Sequence, residues 1–150
     1  MLPAEIRQIS LVLASASARR REILERLGFR LSVRPAAIDE AAIRHHDTAE
    51  QTLRIARAKA DAIWSPGLTT VAADTVVVLD GAVLEKPTDT VHARQMLQSL
   101  SGRQHEVLTA VSLHFSGGEN TAFVEKTMVH FLPLSNGIIE DYIATEAPYD

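Results

Sequence analysis

The chain has 150 residues, 46% hydrophobic, 23% charged and 5% aromatic, with a formal net charge of −4 and no cysteine. That length can bury one real core, and those fractions exclude a disordered, collagen-like or low-complexity chain. The longest apolar runs fall far short of the roughly 20 residues a membrane helix needs. The first ten residues carry Glu5 and Arg7 and lack a signal peptide's apolar centre. The absence of cysteine removes disulfides and thiolate metal sites. These observations predict one cytoplasmic domain spanning residues 1–150, without a membrane partner.

Charge is unevenly spread. Residues 1–38 carry a balance of +4 and residues 39–150 one of −8. The first part attracts anions while the whole repels polyanions at long range. With few aromatic residues available for stacking, a compact anion site fits better than a nucleic-acid surface.

In chain order, Ile9 to Ala14 reads as a buried strand, broken by Ser15-Ala-Ser17. A helix is expected from about Ala18 to Leu27, with Ile23, Leu24 and Leu27 on one side and Gly28 as its stop. Phe29 to Val33 alternates like a second strand, and Pro35 to His46 reads as a loop with Asp39-Glu40 at its centre. Thr48-Ala-Glu-Gln51 has the capping-box pattern before a helix with Leu53, Ala56, Ala60 and Ile63 on one face. Thr69 to Leu79 is a strand, Asp80-Gly81 a hairpin signal, and Ala82 to Leu84 its return. A helix opening at Pro87-Thr88 carries Ala93, Met96, Leu97 and Leu100 and ends near Gly102. Glu106 to Phe115 and Thr121 to Leu132 form a second hairpin about Gly117-Gly118, and Ser135 caps a last helix to about Thr145. Helices alternating with strands, plus two hairpins, predict an α/β fold with a mixed sheet.

Four segments carry candidate chemistry, and each has an ordinary structural reading beside the functional one. Ser15-Ala-Ser17-Ala-Arg19-Arg20 lies where a strand gives way to a helix N-terminus, a place suited to phosphate; taken alone, a serine cap before a solvated basic face is the plainer account. Asp74 sits inside an apolar strand, where a carboxylate needs a cation, a donor or a metal, or else caps a strand end. Lys86 precedes Pro87, which restricts its backbone and helps aim a point charge, although a turn lysine is the plainer account. Lys59 edges the apolar stripe of Ala56, Ala60 and Ile63, as a snorkelling helix lysine would too. His45, His46, His92, His105, His114 and His130 lack metal-ligand spacing, and neither GxGxxG, GxxxxGK[ST] nor GxSxG occurs. What is left is oxygen-ligated metal chemistry with cationic side chains.

Taken together and in order, these segments resemble the Maf family of nucleotide pyrophosphatases. Leu13-Ala-Ser15-Ala-Ser17-Ala18-Arg19-Arg20 is similar to the family's LAS-x-SPRR signature, with Ala18 in place of proline. Asp39-Glu40, Ala58-Lys59-Ala60, Ala73-Asp74-Thr75-Val76, Glu85-Lys86-Pro87-Thr88-Asp89, Leu100-Ser-Gly102 with His105, and Thr109-Ala-Val111 follow at family-like positions. Glu140 to Pro148 resembles the family's tyrosine and Glu-Pro segment.

The resemblance implies hydrolysis of nucleoside triphosphates to the monophosphate and pyrophosphate with a divalent metal, Mg²⁺ or Mn²⁺. It implies Asp74 as catalytic carboxylate and metal ligand, Glu40 as a second metal ligand, and Lys59 and Lys86 as catalytic cations. Arg19 and Arg20 would neutralise the triphosphate, and Ser15 and Ser17 would add hydrogen bonds. Asp74-Thr75 resembles the branch acting on dTTP and UTP, with Arg19 and Thr75 as the positions for base selectivity. The implied fold is that of inosine-triphosphate pyrophosphatases, a mixed twisted sheet with flanking helices and two lobes about a cleft. The implied partner is the nucleotide, with a homodimer compatible and no stable nucleic-acid binding. Family members continue past this point with a KAGAYGIQG segment, so the chain is expected to lack a C-terminal part of the domain. A nucleotide-binding but catalytically weak truncated homologue is the alternative expectation.

Overall fold

The computed structural model describes Pro3, Ile6 and residues 9–145. Its elements are β1 (Ser10–Leu13), α1 (Ala18–Arg26), β2 (Arg30–Val33), a 3₁₀ turn (Glu40–Ala42), α2 (Thr48–Ile63), β3 (Thr69–Leu79), β4 (Ala82–Leu84), α3 (Thr90–Leu100), β5 (Gln104–His114), β6 (Asn120–His130) and α4 (Asn136–Ala144). Apart from the 3₁₀ turn, which falls in the expected loop from Pro35 to His46, this is the order expected from the sequence pattern. Glu146 and Pro148 of the last motif lie outside the described residues.

The sheet runs β2-β1-β3-β5-β6, with β4 added to β3. Strand β1 pairs parallel with β2 and with β3, while β4 pairs antiparallel with β3. The sheet is therefore mixed and carries flanking helices. No helix among the described residues is long and apolar enough to cross a membrane. The chain divides into two compact units: one takes the described residues up to Thr75 with Thr109–Glu125, the other Val76–Leu108 and the described residues from Lys126 onward.

In the first unit, Leu11 to Ala14 are all buried, as the continuous apolar run requires of a strand covered on both faces. Helix α2 turns Thr52, Ile55, Ala56 and Ala60 inward. Ala14, Ala60 and Ala72 form its core cluster, with Ala36 and Ile63 packed against it. Three methyl-sized side chains let the helix approach the sheet closely. The cap of α2 is Asp47, whose carboxylate accepts from Glu50 N at 2.9 Å, one residue before the expected Thr48. Aspartate is the better cap, and Gln51 turns instead to accept from His45 N at 3.0 Å. At the other end, Trp64 Nε1 donates to Phe115 O at 3.0 Å, tying the helix end to the β5–β6 turn.

Helix α1 departs from its expected role. Ile23 and Leu27 are exposed and the helix buries no residue. It is held by its ends and its surface: Ser17 Oγ accepts from Arg20 N, Gly28 at φ +92° closes the C-terminus, and Arg21–Glu25 and Arg26–Glu22 pair one turn apart.

In the second unit, Asp80 at φ +51° and Gly81 at φ +80° make the β3–β4 turn, and Arg103 Nη2 donates to Asp80 at 2.6 Å. Helix α3 starts at Thr90, capped by Asp89 accepting from His92 N at 2.8 Å, three residues after Pro87. Ala93, Ile139 and Ile143 form the core between α3 and α4, with Leu97 and Leu134 against it. Ser135 caps α4 as expected. His105 is buried with its ring edge-on to Phe131, and burial lowers its pKa below the ordinary 6.5.

Candidate active site

The first unit brings seven of the candidate residues into hydrogen-bonded or ionic contact with one another: Ser15, Ser17, Arg20, Glu40, Lys59, Asp74 and Thr75. Side chains alternate along β3, so Ala72 and Asp74 face α2, while Ala73 and Thr75 take the other side. Ala60 packs on Ala72, and the neighbouring Lys59 is thereby carried to Asp74. Lys59 Nζ lies 2.9 Å from Asp74 Oδ1 and 2.9 Å from Glu40 Oε1. The Lys59 and Asp74 side chains are each 13% exposed, and Glu40, on the 3₁₀ turn, is 50% exposed. The strand acid therefore has the cation that its burial demands.

Arg20 forms the second half of the site. Its Nη1 donates to Ala73 O at 2.9 Å and to Ser15 Oγ at 3.2 Å, and its Nη2 donates to Thr75 Oγ1 at 3.1 Å. Ser15 Oγ also accepts from Ser17 N at 3.2 Å, so the small polar break after β1 organises itself around one hydroxyl. These bonds leave the Nε hydrogen and one Nη2 hydrogen unspent, from the five a guanidinium offers. Burial lowers the Arg20 pKa, with Asp74 opposing that effect, Arg19 adding to it and Glu40 again opposing it. An arginine nonetheless keeps its charge, which makes Arg20 a fixed cation aimed by the strand.

The remaining candidates, and Ser17 among the seven, stand differently. Arg19 is exposed at the start of α1 beside Arg20. Ser17 acts here as the helix cap. Lys86 is exposed in the segment between β4 and α3 and belongs to the second unit. Thr109 had no individual role in the sequence reading, yet its Oγ1 lies 3.2 Å from Thr75 Oγ1. Its place in an alternating strand was visible; its pairing with Thr75 was not, because that depends on strand register.

Glu40 and Asp74 offer carboxylate oxygens, the donors that Mg²⁺ and Mn²⁺ take. Among the described residues no group of three or more His, Cys, Asp or Glu converges on one point. A magnesium site needs no such group, since one or two carboxylates with phosphate oxygens and water suffice. The donor set fits a divalent cation bound together with a phosphorylated ligand.

Residues 10–150 match the family described as Maf-like protein. The chain belongs to the Maf-like family. Among this family's curated members, a dTTP/UTP pyrophosphatase of Anaeromyxobacter dehalogenans is 46% identical over 143 residues, covering 93% of this chain and 73% of that protein. One from Pyrococcus furiosus is 44% identical over 138 residues, covering 91% and 72%. Among solved structures, the Ham1 protein of Staphylococcus aureus superposes with a TM-score of 0.53 at 14% identity, covering 81% of this Maf-like chain and 71% of that one. The expected fold class stands: a mixed α/β sheet with flanking helices, shared with Ham1.

Proposed function

We propose that this Maf-like chain hydrolyses nucleoside triphosphates, dTTP and UTP foremost, to the nucleoside monophosphate and pyrophosphate. The observation that carries this reading is the Asp74–Lys59–Glu40 cluster in the unit that also fixes Arg20. The relatives' name, dTTP/UTP pyrophosphatase, supports the substrate and speaks for turnover over binding alone.

Phosphoryl transfer asks a protein for positioning and charge neutralisation more than for covalent help. Arg20, clamped by Ala73 O, Ser15 and Thr75, offers its remaining N–H groups to phosphate oxygens without having to reorganise. Asp74 accepts the proton of the attacking water, and Lys59 beside it offsets the developing phosphate charge. Glu40 and Asp74 would hold a divalent cation, which supplies neutralisation of the phosphate oxygens when bound. Lys86 serves as a further phosphate cation on the strength of its Glu-Lys-Pro-Thr motif. Arg19 and Thr75 bear on base selectivity; Thr75 in addition steadies Arg20. The compartment this reading requires is the cytoplasm, where nucleoside triphosphates are held.

The test is incubation with dTTP or UTP and Mg²⁺ or Mn²⁺ in H₂¹⁸O, followed by ³¹P NMR and mass spectrometry. Pyrophosphate and monophosphate are expected in equal amounts, with ¹⁸O in one of the two identifying the phosphorus attacked. Orthophosphate with the diphosphate would reject the reading.

A further inference from the structure

In the cluster just described, Lys59 Nζ stands where the two carboxylates converge, 2.9 Å from an oxygen of each. A divalent cation using Glu40 and Asp74 needs that same point. Two like charges a few ångströms apart in a mostly buried site repel strongly, and the ammonium already engages one oxygen of each carboxylate. Resting on the hydrolase reading, we propose that Lys59 is a placeholder cation: it competes with the divalent metal for Glu40 and Asp74, and yields when a triphosphate offers replacement oxygen acceptors.

The two cations of the site are built differently in a way that fits this exchange. Arg20 is pinned by a strand carbonyl and two hydroxyls. Among the described residues Lys59 holds only carboxylates, through a flexible four-carbon stem and a rotatable ammonium. On the anionic side, Asp74 is fixed in β3 and mostly buried, whereas Glu40 is half exposed on a three-residue turn. Glu40 is thus the ligand that can follow either cation. The consequence is reciprocal: metal without nucleotide is held weakly, and each ligand raises the affinity for the other.

The experiment is a Mn²⁺ titration of nucleotide-free protein, read by the electron paramagnetic resonance of free Mn²⁺. Lys59→Met, which keeps the apolar stem and removes the charge, is expected to bind Mn²⁺ about tenfold more tightly than the wild type. Equal or weaker binding in a variant that folds by circular dichroism would overturn the proposal. Should Lys59→Met not fold, the wild type decides. The chain has only three lysines, Lys59, Lys86 and Lys126, so ¹³Cε-lysine spectra are assignable with Lys86→Arg and Lys126→Arg. Saturating Mg²⁺ is expected to move the Lys59 signal; a signal unmoved at saturation would overturn it. No nucleotide enters either measurement, so this outcome is separate from whether dTTP is turned over.

Discussion

The core clusters of the two units differ in side-chain size. The first packs Ala14, Ala60 and Ala72 at its centre and carries Lys59 and Asp74, each 13% exposed. The second packs Ala93 with the larger Ile139, Ile143, Leu97 and Leu134, leaves an apolar groove of about 390 Å³ beside them, and keeps its Arg94–Glu140 ion pair at the surface. The difference shows what small residues accomplish. Where only methyl groups separate helix from strand, a lysine on the helix reaches an acid on the strand, and both leave bulk water. Larger residues fill volume and hold charges out where solvent screens them. Arg94 lowers the Glu140 pKa through a hydrogen bond, but an exposed pair of that kind contributes little to stability.

Substitutions in the first unit's charged cluster are expected to act on chemistry, and those in the second unit's apolar core on stability. The largest effect is expected from Asp74→Asn: a fall in turnover of about 10³-fold with the fold retained, measured by pyrophosphate release and a melting curve. Arg20→Lys comes next, at about 10²-fold in kcat/KM, because an ammonium cannot reproduce a planar fork held by Ala73 O, Ser15 and Thr75. In the second unit, Ile139→Ala is expected to cost about 3 kcal/mol in urea unfolding, since the side chain is 2% exposed. Thr109→Val should lower kcat/KM only about fivefold, the worth of one hydrogen bond. Thr109→Ser should restore it, which tests the hydroxyl and not the methyl.

The smallest effect is one of pH. Burial depresses the His105 pKa below 6.5, so between the lowered folded value and 6.5 the unfolded chain binds the proton more readily. Stability present above pH 6.5 is therefore lost as pH falls toward the folded value. Urea midpoints at pH 7.5 and 5.5 should diverge more in the wild type than in His105→Leu.

Much of this was legible in residue order because turn and period signals are local. Asp80-Gly81 specifies its hairpin through two positive φ angles, and the alternation of β3 assigns Asp74 and Thr75 to opposite faces. The segment Ser15 to Arg20 also points to an anion site, and the resemblance to the Maf family joins Lys59 and Asp74 to it. What stayed hidden depends on contacts distant in sequence. Nothing local says that Arg20 reaches the carbonyl of Ala73, 53 residues on, or that Thr75 meets Thr109. The apolar stripe of α1 misled for the complementary reason: Ile23 and Leu27 have helical spacing, yet the helix is secured by its polar ends. The α2 cap was misplaced by one residue because Asp47 and Thr48 are both good caps, and only the bond to Glu50 N chooses between them.

Trp64 is the chain's single tryptophan, and its indole N–H is committed to Phe115 O where α2 meets the β5–β6 turn. The molecule therefore carries one fluorophore that can be excited selectively at wavelengths its two tyrosines do not absorb, and it lies in the unit that holds Lys59 and Asp74. Its emission reports the environment of that unit alone, whereas circular dichroism averages helices from both. Comparing the two signals through a denaturant series turns one indole hydrogen bond into a gauge of whether the charged half and the apolar half come apart as one body or in sequence.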